Sequence, residues 1–229
     1  GSATYLCVDK TGTLTENRMA VNSIWTEISG TVKLDEGVAI PSDDAIAVIQ
    51  TASLASDPEA IDPMDVASNS ASKRYSLHSS KALSLKKSYP LVRPLLAVGY
   101  AWKDGEGDSS IVCAKGAPEA ILRLCRCSDS KNLKISAAAH FLASQGNRVL
   151  GVAKAVSTLG LPADGLEQFP FEFVGLIGFS DPVREGVPNA VMQCHEAGIK
   201  VMMITGDYPA TALSIAREIG LENSNEVLT

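Results

Sequence analysis

The residue best placed to do chemistry in this chain is Asp9, which directly follows the apolar run 5–8. A short apolar run of this kind predicts a buried strand, and parallel α/β sheets carry their reactive groups at the carboxyl ends of strands. A carboxylate there can attack a phosphoryl group without a base to activate it and form an acyl phosphate. Lys10 and Thr11 come next, and Gly12 permits a tight turn around a ligand. The pattern predicts a phosphoryl-accepting aspartate, with a simple turn cap as the alternative.

The last third of the chain alternates between predicted strands and helices. The strands are expected over 174–179 and 200–204, and the helices over 185–197 and 209–219. This alternation predicts a parallel sheet with right-handed crossovers, so Asp9 and Thr205 are expected at the same edge of that sheet.

The residues Thr205, Gly206 and Asp207 follow the second of these strands. Asp207 can cap the helix that opens at Pro209, and the free backbone amides there form an anion site. This tripeptide is therefore a second candidate for contact with a phosphate, beside the ordinary alternative of a capped strand-to-helix turn.

The middle of the chain predicts a different architecture. Helices are expected over 43–56, 62–73, 117–125 and 135–145, and strands over 95–102, 110–115 and 148–156. The turn-rich segment 103–108 makes the first two strands an antiparallel hairpin. The simplest fold class is α/β, with a parallel-sheet unit interrupted by an α+β insertion.

Composition excludes several classes of partner. The formal net charge of −6 argues against nucleic acid, which requires a basic patch. No apolar run approaches the roughly 18 to 20 residues of a membrane helix. The five cysteines and three histidines show no metal-ligand spacing, so no zinc site is expected.

Residues 9–15 match the motif DKTGTLT without a mismatch, and the chain resembles the P-type ATPases, ion pumps that are phosphorylated on the aspartate of this motif. Residues 115–119 match the KGAPE motif of the family's nucleotide-binding domain, and 205–207 match the TGD of its phosphorylation domain. Residues 181–184 resemble the hinge motif DPPR with one change. The closest likeness is to calcium-pump-like pumps of bacteria.

The resemblance implies a partial haloacid-dehalogenase-like parallel-sheet domain with an inserted α+β nucleotide-binding domain. The implied boundaries are 1–20 and 179–229 for the two parts of the phosphorylation domain and 21–178 for the insertion. It also implies a parent protein in the cell membrane, with this region cytoplasmic. The expected partners are ATP, a transported cation and the actuator domain of the same parent chain.

The resemblance also assigns roles to single residues. Asp9 takes the γ-phosphate of ATP, Lys10 lies beside it, and the Thr11 carbonyl joins Asp9 in holding Mg²⁺. Thr205, Gly206 and Asp207 face the γ-phosphate and the metal. The remaining nucleotide-binding residues implied are Asp65 near the adenine amino group, Lys115 and Gly116 at the base, Arg148 at the phosphates, and Asp181 and Arg184 of the hinge motif.

The adenine pocket departs from the family at two positions. Leu91 and Leu96 stand where the best-known pumps have a stacking phenylalanine and a lysine. Tyr89 is the alternative ring for stacking on the base. If the base packs against Gly116, the substitution Gly116→Val should weaken nucleotide binding more than Lys115→Ala.

Two other functions remain open at this stage. One is a soluble haloacid-dehalogenase-type phosphohydrolase, although these carry a second carboxylate in a DxD motif where this chain has Thr11. The other is a nucleotide-binding module without turnover. The family's GDGxNDxP segment, which supplies a magnesium ligand, is not in this chain. We therefore expect little turnover from the chain alone, and a shortened sheet whose apolar edge can pair with a second copy.

Overall fold

The structure is a computed structural model that describes residues 4–34, 42–75, 83–105, 109–158, 160–161, 165–206 and 209–221. The strands in this part of the chain are β1 (Tyr5–Asp9), β2 (Ala20–Thr26), β3 (Gly30–Lys33), β4 (Leu83–Tyr89), β5 (Ala97–Asp104), β6 (Ser110–Gly116), β7 (Arg148–Ser157), β8 (Glu172–Ser180) and β9 (Lys200–Ile204). The helices are α1 (Asp43–Leu54), α2 (Pro63–Tyr75), α3 (Pro118–Cys125), α4 (Asp129–Ser144), α5 (Val187–Glu196) and α6 (Pro209–Glu218). None of these helices is long and apolar enough to cross a membrane.

The strands form two separate sheets. β1 and β9 pair in parallel, with Tyr5 opposite Lys200 and Asp9 opposite Ile204. The other seven strands form one antiparallel sheet in the order β3-β2-β8-β7-β6-β5-β4. The predicted fold class, a parallel-sheet unit with an inserted α+β part, is confirmed.

One strand was predicted for the wrong sheet. Residues 174–179 lie in β8, which is a central strand of the antiparallel sheet between β2 and β7, whereas the sequence pattern favoured the parallel sheet. Helices pack on both faces of β8, so its side chains are apolar without alternation, as in a buried parallel strand. The apolar pattern alone therefore does not distinguish the two positions.

Helices cover both faces of the antiparallel sheet. On one face α1 and α2 enclose an apolar cluster around Ile24, Val48, Ile177 and Phe179. On the opposite face α3 and α4 pack over clusters that include Ile121 and Leu176. The two faces are distinguished by residue parity, because successive side chains of a strand point to opposite sides of the sheet.

The parallel pair β1–β9 is covered on one side only. Val8 and Met203 face a cluster formed by Leu14 with residues of α5 and α6. On the other side Tyr5 is 58% exposed and Ile204 is 60% exposed. The prediction that both strands are fully buried is therefore wrong for the part of the chain described, and Asp9 lies on the open side.

Gly116, predicted as a nucleotide contact, has a packing role at the end of β6. A Cβ atom at this position would lie 2.6 Å from the Cα of Ala97 and would also overlap the carbonyl oxygen of Leu96. Both are backbone atoms of the β5 edge, and Leu96 O also accepts the Ala117 N–H. The absence of a side chain thus permits close pairing of β5 with β6.

We expect Gly116→Ala to lower the free energy of unfolding by about 2 kcal/mol or more, because backbone atoms cannot move aside as a flexible side chain can. Urea unfolding measures the change. Gly186→Ala is the matched control, since a Cβ atom there meets nothing within 4 Å, and its cost should be within about 0.5 kcal/mol. Equal stability of the two variants would contradict this packing role. Because Gly116 packs against the backbone of β5, the substitution Gly116→Val is expected to disturb the sheet as well as any nucleotide bound there.

Candidate active site

Asp9 and Thr205 lie together at one edge of the parallel pair. Asp9 is opposite Ile204 in the register, so Thr205 is the next residue beyond Asp9 on the neighbouring strand. The side chain of Asp9 is exposed, Thr205 is half-buried and Gly206 is exposed. Asp207 lies outside the described residues, and its role stays a prediction.

The backbone turns sharply directly after Asp9. Thr11 has φ −75° and ψ 122°, and Gly12 has φ 78° and ψ −12°, which are the central angles of a type II turn. The positive φ at the second position favours glycine over residues with a side chain. The predicted tight turn at Gly12 is therefore present, and it leaves Asp9 and Thr11 exposed.

The loop after Asp9 is held by three buried side chains. Leu14 is 5% exposed and packs between α5 and α6, and Lys10 is 9% exposed. Thr15 is completely buried. The motif thus divides into residues that fix the loop and residues that remain accessible for chemistry.

The hydroxyl of Thr15 is the centre of the loop's hydrogen bonds. It accepts the N–H of Gly12 at 3.3 Å and donates to the carboxylate of Asp181 at 2.6 Å, and it lies 3.1 Å from the carbonyl oxygen of Lys10. The second oxygen of Asp181 accepts the backbone N–H of Arg18 at 3.0 Å. Asp181 therefore ties the chain that leaves the loop to the chain that returns from the inserted sheet.

Arg184 reinforces the same connection. Its guanidinium donates to the carbonyl oxygen of Gly12 at 3.0 Å. Its backbone N–H donates to the carbonyl oxygen of Leu14, also at 3.0 Å. Asp181 and Arg184 were predicted as nucleotide-binding residues. Their described contacts hold the loop that carries Asp9, and their contact with a nucleotide stays a prediction.

The donor set beside Asp9 suits a hard cation. Mg²⁺ prefers oxygen ligands and is usually held by one or two carboxylates together with substrate phosphates and water. The exposed carboxylate of Asp9 and the carbonyl of Thr11 provide ligands of this kind. Among the described residues there is no cluster of three or more His, Cys, Asp or Glu side chains that could hold a metal without a substrate.

A second candidate site lies on the α1–α2 face of the antiparallel sheet, at Lys115. This side chain is 3% exposed, and its ammonium donates to the Asp65 carboxylate at 2.5 Å and to the Ser56 hydroxyl. The other oxygen of Asp65 accepts the backbone N–H of Asp57 at 3.0 Å. Lys115 and Asp65, which only the resemblance grouped together, are thus in direct contact.

Burial dominates the electrostatics of Lys115. It lowers the pKa of the ammonium below its usual value, and the hydrogen bond and charge of Asp65 oppose that change, with a smaller contribution from Asp62. A buried charge of this kind is tolerated because it is paired and hydrogen-bonded.

Tyr89 does not lie on the same face of the sheet as Lys115. It pairs with Gly99, whereas Lys115 pairs with Val98, so the two side chains lie on opposite faces of the sheet. Tyr89 is 4% exposed and its ring packs edge-on against Phe169. The proposal that Tyr89 stacks on a base is therefore inconsistent with its position in this core.

The other predicted residues of the base site are more dispersed. Leu91 is 54% exposed in the connection from β4 to β5, and Leu96 is 42% exposed just before β5. Arg148 is exposed on the same face as Lys115, four residues along β7 from Val152, the partner of Lys115. That spacing corresponds to about 13 Å along a strand, so these two cations do not form one compact cluster.

Sequence reasoning missed two residues that the structure brings into these sites. The sequence pattern gives Thr15 no role beyond the last position of a motif, and it predicts Ser56 only as the end of a helix. Both are hydroxyl residues that are completely buried. A buried hydroxyl requires a hydrogen-bond partner, but burial of these two residues depends on tertiary packing that the local sequence does not reveal.

We expect Asp65→Asn to lower the free energy of unfolding by about 3 kcal/mol near neutral pH, because the Lys115 ammonium is then buried without a countercharge. Its pKa should fall further, so the unfolded chain binds more protons than the folded one. Stability of the variant should therefore rise with pH as the pH approaches the unfolded value of 10.5. Urea unfolding at several pH values gives both quantities.

The double variant Asp65→Asn, Lys115→Met is the control for this prediction. It removes the stranded charge and should recover most of the lost stability and abolish the additional pH dependence. A single variant as stable as the unaltered chain at all pH values would show that the ion pair is not the relevant interaction.

We expect Thr15→Val to lower the free energy of unfolding by about 1 to 3 kcal/mol, since it leaves the Gly12 N–H and the Asp181 carboxylate without their shared partner. Amide hydrogen exchange at Gly12 should accelerate in parallel. Thr13→Val changes an exposed residue of the same loop and should alter stability by no more than about 0.5 kcal/mol. Equal effects of the two substitutions would count against the hydrogen-bonded role of Thr15.

Comparison with known proteins agrees with this architecture. A family model described as haloacid dehalogenase-like hydrolase matches residues 4–228. Among curated proteins, a sodium/potassium exporting P-type ATPase of Schizosaccharomyces pombe is 30% identical, with 96% of this chain and 27% of the relative covered. The human sodium/potassium-transporting ATPase subunit alpha-4 is 30% identical over 96% of this chain and 26% of its own length.

A third relative, the potassium-transporting ATPase alpha chain 2 of Rattus norvegicus, is 30% identical over 98% of this chain and 26% of its own length. The chain thus spans about a quarter of the length of the curated relatives it matches. The similarity to cation-transporting ATPases extends over most of this chain, and the family match over residues 4–228 covers both sheets. The chain therefore belongs to the haloacid dehalogenase-like hydrolase family.

Proposed function

We propose that this chain is the ATP-binding and phosphoryl-accepting region of a P-type ATPase, in which a phosphorylated Asp9 couples ATP hydrolysis to cation transport. The observation that carries the proposal is the exposed carboxylate of Asp9 at the end of β1, beside Thr205 and on a loop fixed by Thr15. Accessibility of the nucleophile together with a rigid backbone is what positioning catalysis of phosphoryl transfer requires.

In the proposed reaction a carboxylate oxygen of Asp9 attacks the γ-phosphorus of ATP. An oxygen–phosphorus bond forms, the bond to the β,γ-bridging oxygen breaks, and ADP leaves with that electron pair. Asp9 and the Thr11 carbonyl would hold Mg²⁺, which when bound neutralises charge on the phosphate oxygens. Water later cleaves the acyl phosphate, releasing phosphate and restoring the carboxylate.

Thr11 is central to the fate of the acyl phosphate. The position two residues after the nucleophile carries no carboxylate in this chain, so no general base is available there to activate water. The acyl phosphate should persist, as a pump requires while its conformation changes. A soluble phosphohydrolase of the same family would instead turn over rapidly, and this difference distinguishes the two functions.

The remaining assignments belong to the same proposal. Residues 21–178 form the nucleotide-binding domain and 1–20 with 179–229 the phosphorylation domain. The base of ATP lies near Lys115 and Asp65, while Arg148 and Asp207 act at the phosphates. The transported cation, the actuator domain and the membrane location pertain to the parent protein, and a second copy of this chain could pair with the exposed strands β1 and β9.

We expect Asp9→Asn to abolish acid-stable, hydroxylamine-labile labelling of the full-length parent protein by γ-labelled ATP, because an amide cannot form the acyl phosphate. Nucleotide binding should persist. Labelling of the variant at the level of the unaltered protein would overturn the assignment of Asp9.

We expect Thr11→Asp to shorten the lifetime of the phosphorylated form, since it supplies the general base that this position lacks. The lifetime is measured by chasing the label with unlabelled ATP. Thr13→Asp adds the same charge at another exposed position of the loop and should leave the lifetime within about twofold. Rapid loss of the label from the unaltered protein would favour the phosphohydrolase.

A further inference from the structure

Two cysteine thiols meet at the junction of helices α3 and α4. Cys125 is the last residue of α3, and Cys127 follows two residues later, before α4 begins at Asp129. The thiols are close enough to share a hydrogen bond, and neither belongs to a disulfide. Both side chains are half-buried, so the pair can be reached from solvent.

The backbone of Arg126 brings the two thiols together. This residue has φ 50° and ψ 41°, the left-handed helical conformation, which residues with a Cβ atom adopt at a steric cost. These angles place the Cα atoms of the two neighbouring residues about 5.5 Å apart, a separation typical of linked cysteines. The Arg126 guanidinium donates to the carbonyl oxygen of Glu167 and its backbone N–H to that of Arg123, both at 3.3 Å. The conformation is therefore held from two sides.

The thiol pair lies between the two apolar clusters of the α3–α4 face. Cys125 packs against one cluster and Cys127 against the other, while Phe173 packs against both. The Lys131 ammonium lies near both thiols, but it is already paired with the carboxylate of Glu27 at 2.6 Å. The surroundings are thus apolar, with a cation whose charge is compensated.

Burial determines the protonation of Cys125. It raises the pKa of this thiol to about 12, and Cys127 adds to the rise, whereas the charge of Lys131 opposes it. The thiol is therefore protonated near neutral pH, and reagents that require a thiolate react with it slowly. A ligand that exchanges its own hydroxyl groups for thiols takes up their protons as water, so it requires no preformed thiolate.

The number of donors narrows the class of ligand. Sulfur donors select soft ions, and structural zinc requires four protein ligands. Among the residues that the structure describes, no group of three or more His, Cys, Asp or Glu side chains exists. Trivalent arsenic that already carries one organic group needs only two sulfurs to complete its bonds, which is the number that this junction offers.

We infer that Cys125 and Cys127 form a two-thiol site for an organic trivalent arsenical, with one sulfur from each side of Arg126. In the reaction both arsenic–hydroxyl bonds of the hydrated arsenical break and two arsenic–sulfur bonds form. Each thiol proton leaves with a hydroxyl group as water, and arsenic stays trivalent. The site lies on the face of the sheet opposite Lys115, so the inference does not depend on the proposed function.

The test titrates the unaltered chain with phenylarsine oxide and measures the bound fraction by intact-protein mass spectrometry. One phenylarsenic group should bind per chain, and an excess of a small dithiol should remove it. Cys125→Ala and Cys127→Ala should each weaken binding about a hundredfold or more, because a single remaining thiol loses the high effective concentration of the second.

Three variants are matched controls. Cys7→Ala and Cys194→Ala remove other half-buried or exposed thiols and should leave the affinity unchanged. Arg126→Gly removes the guanidinium but favours the same positive φ, so it should bind within about threefold of the unaltered chain. Circular dichroism establishes that each variant is folded.

A second measurement on the unaltered chain keeps the test decisive if the alanine variants unfold. The arsenical-treated chain is unfolded in urea, alkylated and digested for peptide mass spectrometry, and only Cys125 and Cys127 should be protected from alkylation. Unchanged affinity in a folded variant of either cysteine, protection of other cysteines instead, or no binding to the unaltered chain overturns the inference.

Discussion

The buried hydroxyl of Thr15 is the constraint on which the arrangement around Asp9 depends. It joins the turn at Gly12 to the carboxylate of Asp181, and Asp181 in turn holds the backbone of Arg18. The chain leaves the parallel pair and returns to it through these same residues. These hydrogen bonds therefore connect the loop that carries Asp9 directly to both chain segments that join it to the inserted sheet.

The inserted sheet has its own polar centre, which is separate from that loop. Lys115 and Asp65 form a buried ion pair, and the hydroxyl of Ser56 completes the partners of the ammonium. Such a pair contributes little net stability, but loss of one partner is costly, so it fixes how the α1–α2 connection sits on β6. The loop after Asp9 and the Lys115–Asp65 pair are thus two separate polar centres, one at the edge of the parallel pair and one on the α1–α2 face of the inserted sheet.

The sequence predicts the position of a residue correctly where a general rule of sheet topology applies. It does not predict which sheet a strand joins, or which face a side chain occupies, where the pairing register determines these. The approach of Asp9 to Thr205 follows from the rule that parallel strands end at one edge. The strand at 174–179 was given to the wrong sheet because an apolar strand covered on both faces has one pattern in either kind of sheet. Tyr89 lies on the face opposite Lys115 through a parity that only the observed pairing of Tyr89 with Gly99 and of Lys115 with Val98 reveals.

The central claim is that Asp9 becomes the acyl phosphate, and reduction of the phosphorylated protein by borohydride tests it most directly, since this reagent converts a phosphorylated aspartate to homoserine. The full-length parent protein would be incubated with ATP and Mg²⁺, reduced, and digested for peptide mass spectrometry. The account predicts homoserine at position 9, dependent on ATP, and no such change at any other aspartate. Homoserine at a different aspartate, with position 9 unmodified, would contradict it.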